Sequence, residues 1–121
     1  KGGLLNPLWI GFDIYIEEAK RNLEVLSKPL EVAKLIKEYF LTKWPNAKIY
    51  IFGSTIKGNY TASSDIDILI VIDDIGKEEV YKSKAAILLK YELPIELHIV
   101  SRKEFENWYM RFIDKENLLE V

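Results

Sequence analysis

Apolar positions recur along this chain with two periods, and the switch between them lays out the elements. From Phe12 to Leu26, the residues Ile14, Ile16, Ala19, Leu23 and Leu26 recur near the helical spacing, with Glu17, Glu18, Lys20 and Arg21 between them. That pattern predicts an amphipathic helix. Ser27 and Pro29 punctuate it. A second helix is expected from about Pro29, a residue tolerated in a first turn, through Val32, Leu35, Ile36, Tyr39 and Phe40. Trp44-Pro45-Asn46 stops it. The reading then turns to strands: Ala47 to Phe52 first, Ile66 to Ile72 second, Ile95 to Val100 third. Gly53 to Ser64 is a polar, Gly-containing loop with room for one helical turn. Lys77 to Tyr91, carrying Val80, Ala85, Ile87, Leu88 and Tyr91, reads as a third helix, and Arg102 to Ile113 as a last one.

Helices and strands interleave, which predicts one α/β (α+β) domain over residues 1–121, with N-terminal helices in 1–45 and a core in 46–121. The economical arrangement is a small mixed sheet of three or more strands with helices packed mainly on one face. A helix joins the second and third strands, so a parallel, right-handed crossover is expected if those strands are neighbours.

Composition narrows the chemistry. With 17 Lys and Arg against 19 Asp and Glu, the net charge is −2, which argues against strong general nucleic-acid binding. There is no cysteine, so disulfides, thiolate nucleophiles and Cys-ligated zinc are excluded. A single histidine makes a His-rich metal site an unpromising reading. No apolar run reaches the roughly 18 residues that span a bilayer, and nothing reads as a signal peptide. The expectation is a cytoplasmic protein with no membrane partner.

The informative stretch is GSTIKGNYTASSDIDILIVID, Gly53 to Asp73. Gly53 permits close backbone approach where the first strand ends, and Ser54 adds a hydroxyl beside N–H groups suited to phosphate oxygens. Lys57 stands where a phosphate is within reach. Ten residues beyond Ser54 comes Asp65-Ile66-Asp67, leading into an apolar strand. Strand alternation puts the two carboxylates on one face, roughly 6–7 Å apart, where they repel unless a cation sits between them. Hard oxygen donors of this kind suit Mg²⁺ bound together with substrate phosphates. In Pro94-Ile95-Glu96-Leu97-His98-Ile99-Val100, alternation puts Glu96 and His98 on one face. Glu96 is costly to bury unless paired or metal-bound, and it joins Asp65 and Asp67 if the two strands are neighbours. Three carboxylates can hold two Mg²⁺ ions, with Mn²⁺ as a substitute. The alternative for His98 is a structural role. Asp73 and Asp74 read as turn residues.

Gly-Ser, ten residues, Asp-x-Asp and a later acid on another strand together resemble the DNA-polymerase-β-like nucleotidyltransferase superfamily. The chain resembles its smallest members, the minimal nucleotidyltransferases (MNT), over about Ile49 to Ile113. The resemblance implies NMP transfer, AMP from ATP in the first instance, to a hydroxyl acceptor with release of pyrophosphate. It implies nucleotide-binding roles for Gly53, Ser54, Lys57, Asp65 and Asp67. It also implies metal-holding and catalytic roles for Asp65, Asp67 and Glu96, with Glu96 as the base near the acceptor hydroxyl. The third acid is usually Asp in that superfamily and is Glu here, one methylene longer; His98 on the same face is a second candidate base or a hydrogen-bond partner of Glu96. Larger relatives carry a second, acceptor-binding domain, for which 121 residues leave little room. A homo-oligomer or a separate partner is therefore expected to contribute. MNT proteins also resemble antitoxins that bind and neutralise or modify a helical HEPN protein, and this is the competing reading. Under it, Phe105, Trp108, Tyr109 and Phe112, spaced for one helix face, and Trp9, Phe12 and Tyr15 would be interface rather than core.

Overall fold

The computed structural model describes residues 7–109, 111 and 115–121. Helix α1 runs Pro7–Leu26 and α2 Pro29–Lys43. Pro29 occupies the first turn of α2, where its missing N–H costs nothing, and Glu31 and Lys43 sit at the ends that the helix dipole favours. Strand β1 is Lys48–Phe52, followed by the single turn α3, Ser54–Lys57. Strand β2 is Ile66–Ile72, helix α4 Lys77–Lys90 and strand β3 Ile95–Ser101. Helix α5, Arg102–Glu104, is a single turn opened by a capping box: Ser101 Oγ accepts from the Glu104 N–H while Glu104 accepts from the Ser101 N–H. A π-helical segment, Phe105–Tyr109, follows, then a 3₁₀ turn at Lys115–Asn117 and strand β4, Leu118–Glu120.

The strand order is β3-β2-β1-β4. β1 runs antiparallel to β2 and to β4, and β2 runs parallel to β3 with α4 as the crossover. This is the expected mixed sheet, with β2 and β3 as direct neighbours. Strand β2 lies between two others and is nearly continuous in apolar residues, as a strand covered on both faces must be. Ile66, Ile68, Ile70 and Ile72 face the main core with Ile49, Ile51, Ile95, Leu97 and Ile99, under Ile36 and Phe40 of α2 and Ile87 of α4. Leu69, Val71 and Val100 face the other side, beside Tyr50 and Phe52 of β1 and packed against Phe105 and Tyr109.

Three differences from the sequence reading have physical causes. β4 was not expected; three residues are too few for an alternation to show, and its place comes from pairing with β1. Val121 N–H donates to the Ile49 carbonyl, and Lys37 Nζ donates to the Val121 carbonyl at 2.8 Å. The helix expected over Arg102–Ile113 is one α-turn that widens into the π-helical segment, which carries Phe105 and Tyr109 to the same sheet face. The side chains of Trp9 and Trp108 lie outside what the structure describes, as does Phe112. Finally, α1 begins earlier than expected and buries little of its predicted apolar face. Leu26 is fully buried, but Ile14 and Leu23 are 56% and 41% exposed.

Phe40 is fully buried and packs edge-on to Tyr39 and stacked on Trp44. Phe40→Ala is therefore expected to lower the unfolding free energy by about 3–5 kcal/mol. Urea unfolding would show this as a lowered midpoint with an unchanged slope; a loss below about 1 kcal/mol would place α2 outside the cooperative core.

Candidate active site

Side chains that point to the thinly covered sheet face cannot all be apolar where the covering stops. At the N-terminal mouth of β2 and β3 they are Asp67, Glu96 and His98. The parallel register sets Asp67 beside Glu96 and Leu69 beside His98. The backbone is tied at that mouth by the Ile66 N–H, which donates to the Pro94 carbonyl at 2.8 Å. One ligand atom each from Asp67, Glu96 and His98 lies within 4.8 Å of the others. The Asp67 side chain is 24% exposed and that of Glu96 58% exposed, so Glu96 stands on the solvent side of the group.

The ring of His98 is held between Phe52, 5.3 Å away between centroids, and Tyr109, 6.3 Å away and nearly perpendicular. This fixes where its Nε2 points. That atom lies 3.6 Å from Asp67 Oδ1 and 3.8 Å from Glu96 Oε1, beyond hydrogen-bond range of either, and it is buried with no hydrogen-bond partner among the described residues. Burial, and behind it the charges of Glu104 and Glu96, hold the Tyr109 hydroxyl above its ordinary pKa. Tyr109 is thus a neutral hydroxyl at neutral pH.

Gly53 closes the third side. Phe52, the last residue of β1, is paired with Asp67, and the chain turns immediately through Gly53 at φ +89° and ψ −161°, a conformation that side chains other than glycine's rarely reach. A Cβ on Gly53 would overlap Asp67 Oδ2. The glycine is therefore required twice, by its dihedral angles and by the carboxylate lying against its Cα. Ser54 begins α3 next to it, half-buried, and Lys57 ends the turn exposed. Gly58 caps α3 in the left-handed conformation. The loop that returns to β2 is tied by its own hydroxyls: the Thr61 N–H donates to Ser64 Oγ, and the Ser64 N–H donates to the Thr61 carbonyl.

The structure thus gathers Asp67, Glu96 and Gly53 from separate parts of the chain and sets Ser54 beside them. Asp65 lies one residue before β2, exposed and outside the group of mutually close ligand atoms; Lys57 is likewise exposed. What the sequence under-weighted is His98. Its only signal there was alternation, which placed it on the face of Glu96. Its inward aim depends on the aromatic walls supplied by β1 and the π-helical segment. Asp73, read as a turn residue, sits at the opposite end of β2 and accepts from Arg102 Nε at 2.6 Å, away from this group.

A family model described as the nucleotidyltransferase domain matches residues 33–121. Over 64 residues the chain is 42% identical to a Methanocaldococcus jannaschii protein provisionally named a protein adenylyltransferase, a match covering 50% of this chain and 63% of that one. A second such protein of that organism is 28% identical over 104 residues, covering 82% of this chain and 100% of its own length. Poly(A) RNA polymerase protein 2 of Saccharomyces cerevisiae is 29% identical over 102 residues, 78% of this chain but 17% of the yeast protein. This chain therefore spans less than two thirds of two of these relatives. A crystal structure provisionally described as a nucleotidyltransferase superposes with a TM-score of 0.59 at 33% identity, covering 73% of this chain and 95% of the other.

The contact at Gly53 yields a paired prediction. Gly53→Ala is expected to cost about 1–3 kcal/mol from its dihedral angles alone, and more because Asp67 must move. Gly58→Ala, at φ +76° with nothing near its Cβ position, carries only the left-handed penalty of about 1–2 kcal/mol. Denaturant unfolding of both variants should rank Gly53→Ala as the more damaging; the reverse order would mean that Asp67 yields freely.

Proposed function

The chain belongs to the nucleotidyltransferase domain family, and from that premise we propose that it transfers AMP from ATP to a hydroxyl acceptor and releases pyrophosphate. The observation that carries this reading is the register pairing of Asp67 with Glu96 at the open mouth of β2 and β3, directly against the Gly53-Ser54 turn. In the proposed reaction the acceptor oxygen bonds to the α-phosphorus, the bond from that phosphorus to the bridging oxygen breaks, and pyrophosphate leaves. Glu96 takes the acceptor proton. Its exposure supports that role, because an acceptor can approach it from solvent.

The donor set fits a divalent cation: carboxylate oxygens of Asp67 and Glu96 converge within 4.8 Å, and hard oxygens are the ligands Mg²⁺ prefers. Asp65, Asp67 and Glu96 are the proposed holders of two Mg²⁺ ions. Bound there, the metal would supply charge neutralisation for the phosphates and a more acidic acceptor hydroxyl. Gly53, Ser54 and Lys57 are the proposed triphosphate contacts, with the missing Cβ of Gly53 keeping the turn tight against Asp67.

The two Methanocaldococcus jannaschii relatives are named for adenylylating protein, which supports a protein hydroxyl as the acceptor here. One observation favours partner binding as the setting. Helix α1 leaves Phe12, Ile14 and Tyr15 more than half exposed, and it lies outside the residues that the family model matches. A helical partner of the HEPN type, bound through that helix and modified at a hydroxyl, unites the enzyme and interaction readings.

Calorimetry of ATP binding tests the first step. Wild-type chain should bind ATP with Mg²⁺ but not in the absence of a divalent ion, and Asp65→Asn with Asp67→Asn should abolish that binding. Binding without any divalent ion, or binding that survives in the double variant, would overturn the assignment. Glu96→Gln should still bind MgATP but release pyrophosphate about 10²–10⁴-fold more slowly if Glu96 is the base; an unchanged rate would remove it from the chemistry.

A further inference from the structure

Glu96 and Asp67 are not the whole donor set at the mouth of β2 and β3. We propose that His98 is a direct ligand at this centre. Its nitrogen shifts the preference of the Asp67–Glu96–His98 group from magnesium toward a first-row transition ion that accepts imidazole, of which Zn²⁺ and Co²⁺ are the test cases. The inference rests on the reading of Asp67 and Glu96 as metal-holding residues and adds to it the nature of the metal.

Three observations converge. The first is the orphaned nitrogen. Nε2 of His98 is buried without a hydrogen-bond partner among the described residues, although two carboxylate oxygens stand just outside bonding range. Buried polar atoms are seldom left unpaired, and a ring nitrogen facing two carboxylates is satisfied at once by a shared cation.

The second is spacing. Metal–ligand bonds to nitrogen and carboxylate oxygen are about 2.0–2.2 Å. Donors 3.6 and 3.8 Å apart then subtend angles of about 110–140° at a common ion. Octahedral magnesium at about 2.1 Å asks for neighbouring donors about 3.0 Å apart. The two separations from Nε2 are nearer those of a four-coordinate centre than those of octahedral magnesium, and imidazole itself is a ligand of zinc, copper, iron and nickel more than of magnesium.

The third is rigidity and access. Phe52 and Tyr109 hold the ring from two sides, so the nitrogen is aimed before any ion arrives. Glu96 stands toward solvent, so three protein ligands would leave one side of the ion open to a phosphate oxygen or water, as catalytic zinc sites do.

The chain carries one histidine, so its imidazole nitrogen resonances report on His98 alone. The test is a titration of the ¹⁵N-labelled full chain with Zn²⁺, and separately with Mg²⁺, in the absence of nucleotide. One equivalent of Zn²⁺ should move the Nε2 resonance strongly and leave Nδ1 nearly in place, while the same concentration of Mg²⁺ moves neither. By calorimetry, His98→Gln should weaken Zn²⁺ binding more than about tenfold. Glu96→Gln, a change at an exposed position that spares the fold, should weaken it as well. The proposal is overturned if Zn²⁺ fails to bind, if it binds without moving the His98 resonances, or if Mg²⁺ binds as tightly as Zn²⁺. No nucleotide is present, so failure of the His98 assignment here is distinguishable from failure of the MgATP measurement.

Discussion

The parallel pairing of β2 with β3 is the constraint from which the site follows. Its register aligns Asp67 with Glu96 and Leu69 with His98, so backbone hydrogen bonds set which residues stand at the mouth of the sheet before any side chain packs there. A slip of one residue would turn Glu96 and His98 into the isoleucine core and bring Ile95, Leu97 and Ile99 out to the thinly covered face. The apolar cost of that slip is what makes the register unique. Burying a carboxylate without a partner is equally costly, which explains why ionisable residues on β2 and β3 occur where the covering of the sheet ends.

The second constraint couples β1 to that mouth. Phe52 pairs with Asp67 and also walls the His98 ring, while the next residue, Gly53, lets the carboxylate lie against the main chain. One turn of chain therefore controls the position of a carboxylate, the aim of an imidazole and the start of the Ser54 turn. Distant parts of the molecule serve this arrangement through packing. The stack of Phe105 on Tyr50 anchors the segment that brings Tyr109 over the histidine. The exposed pair of Arg102 with Asp73 adds little stability, because solvent screens it, and its role is to fix where that segment leaves β3.

Much of this was legible in the residues. Period-two alternation located β1, β2 and β3 within a residue of their observed ends, because each has one fully apolar face. The acids of Asp65-Ile66-Asp67 and Glu96 declared themselves as charges in or beside apolar strands. What could not be read was what depends on contacts between elements. Whether β3 lay beside β2, and so whether Glu96 reached Asp67, is a matter of sheet order that no local pattern encodes. β4 has too few residues to carry a period. The exposure of α1 shows the converse case: its apolar spacing is genuine, yet few of those residues are covered by another of the described elements. His98 was visible only as a face assignment, since its aim is set by rings from two other elements.

The central claim is that a divalent ion bridges Asp67 and Glu96 and holds a triphosphate in front of Ser54. The most direct measurement is anomalous diffraction from crystals of the chain grown with Mn²⁺ and an ATP analogue that resists cleavage between the α- and β-phosphates. The account predicts an anomalous peak in contact with both carboxylates, with the α-phosphate between that peak and the Gly53-Ser54 turn. Manganese and triphosphate bound elsewhere, with Asp67 and Glu96 left unliganded, would contradict it.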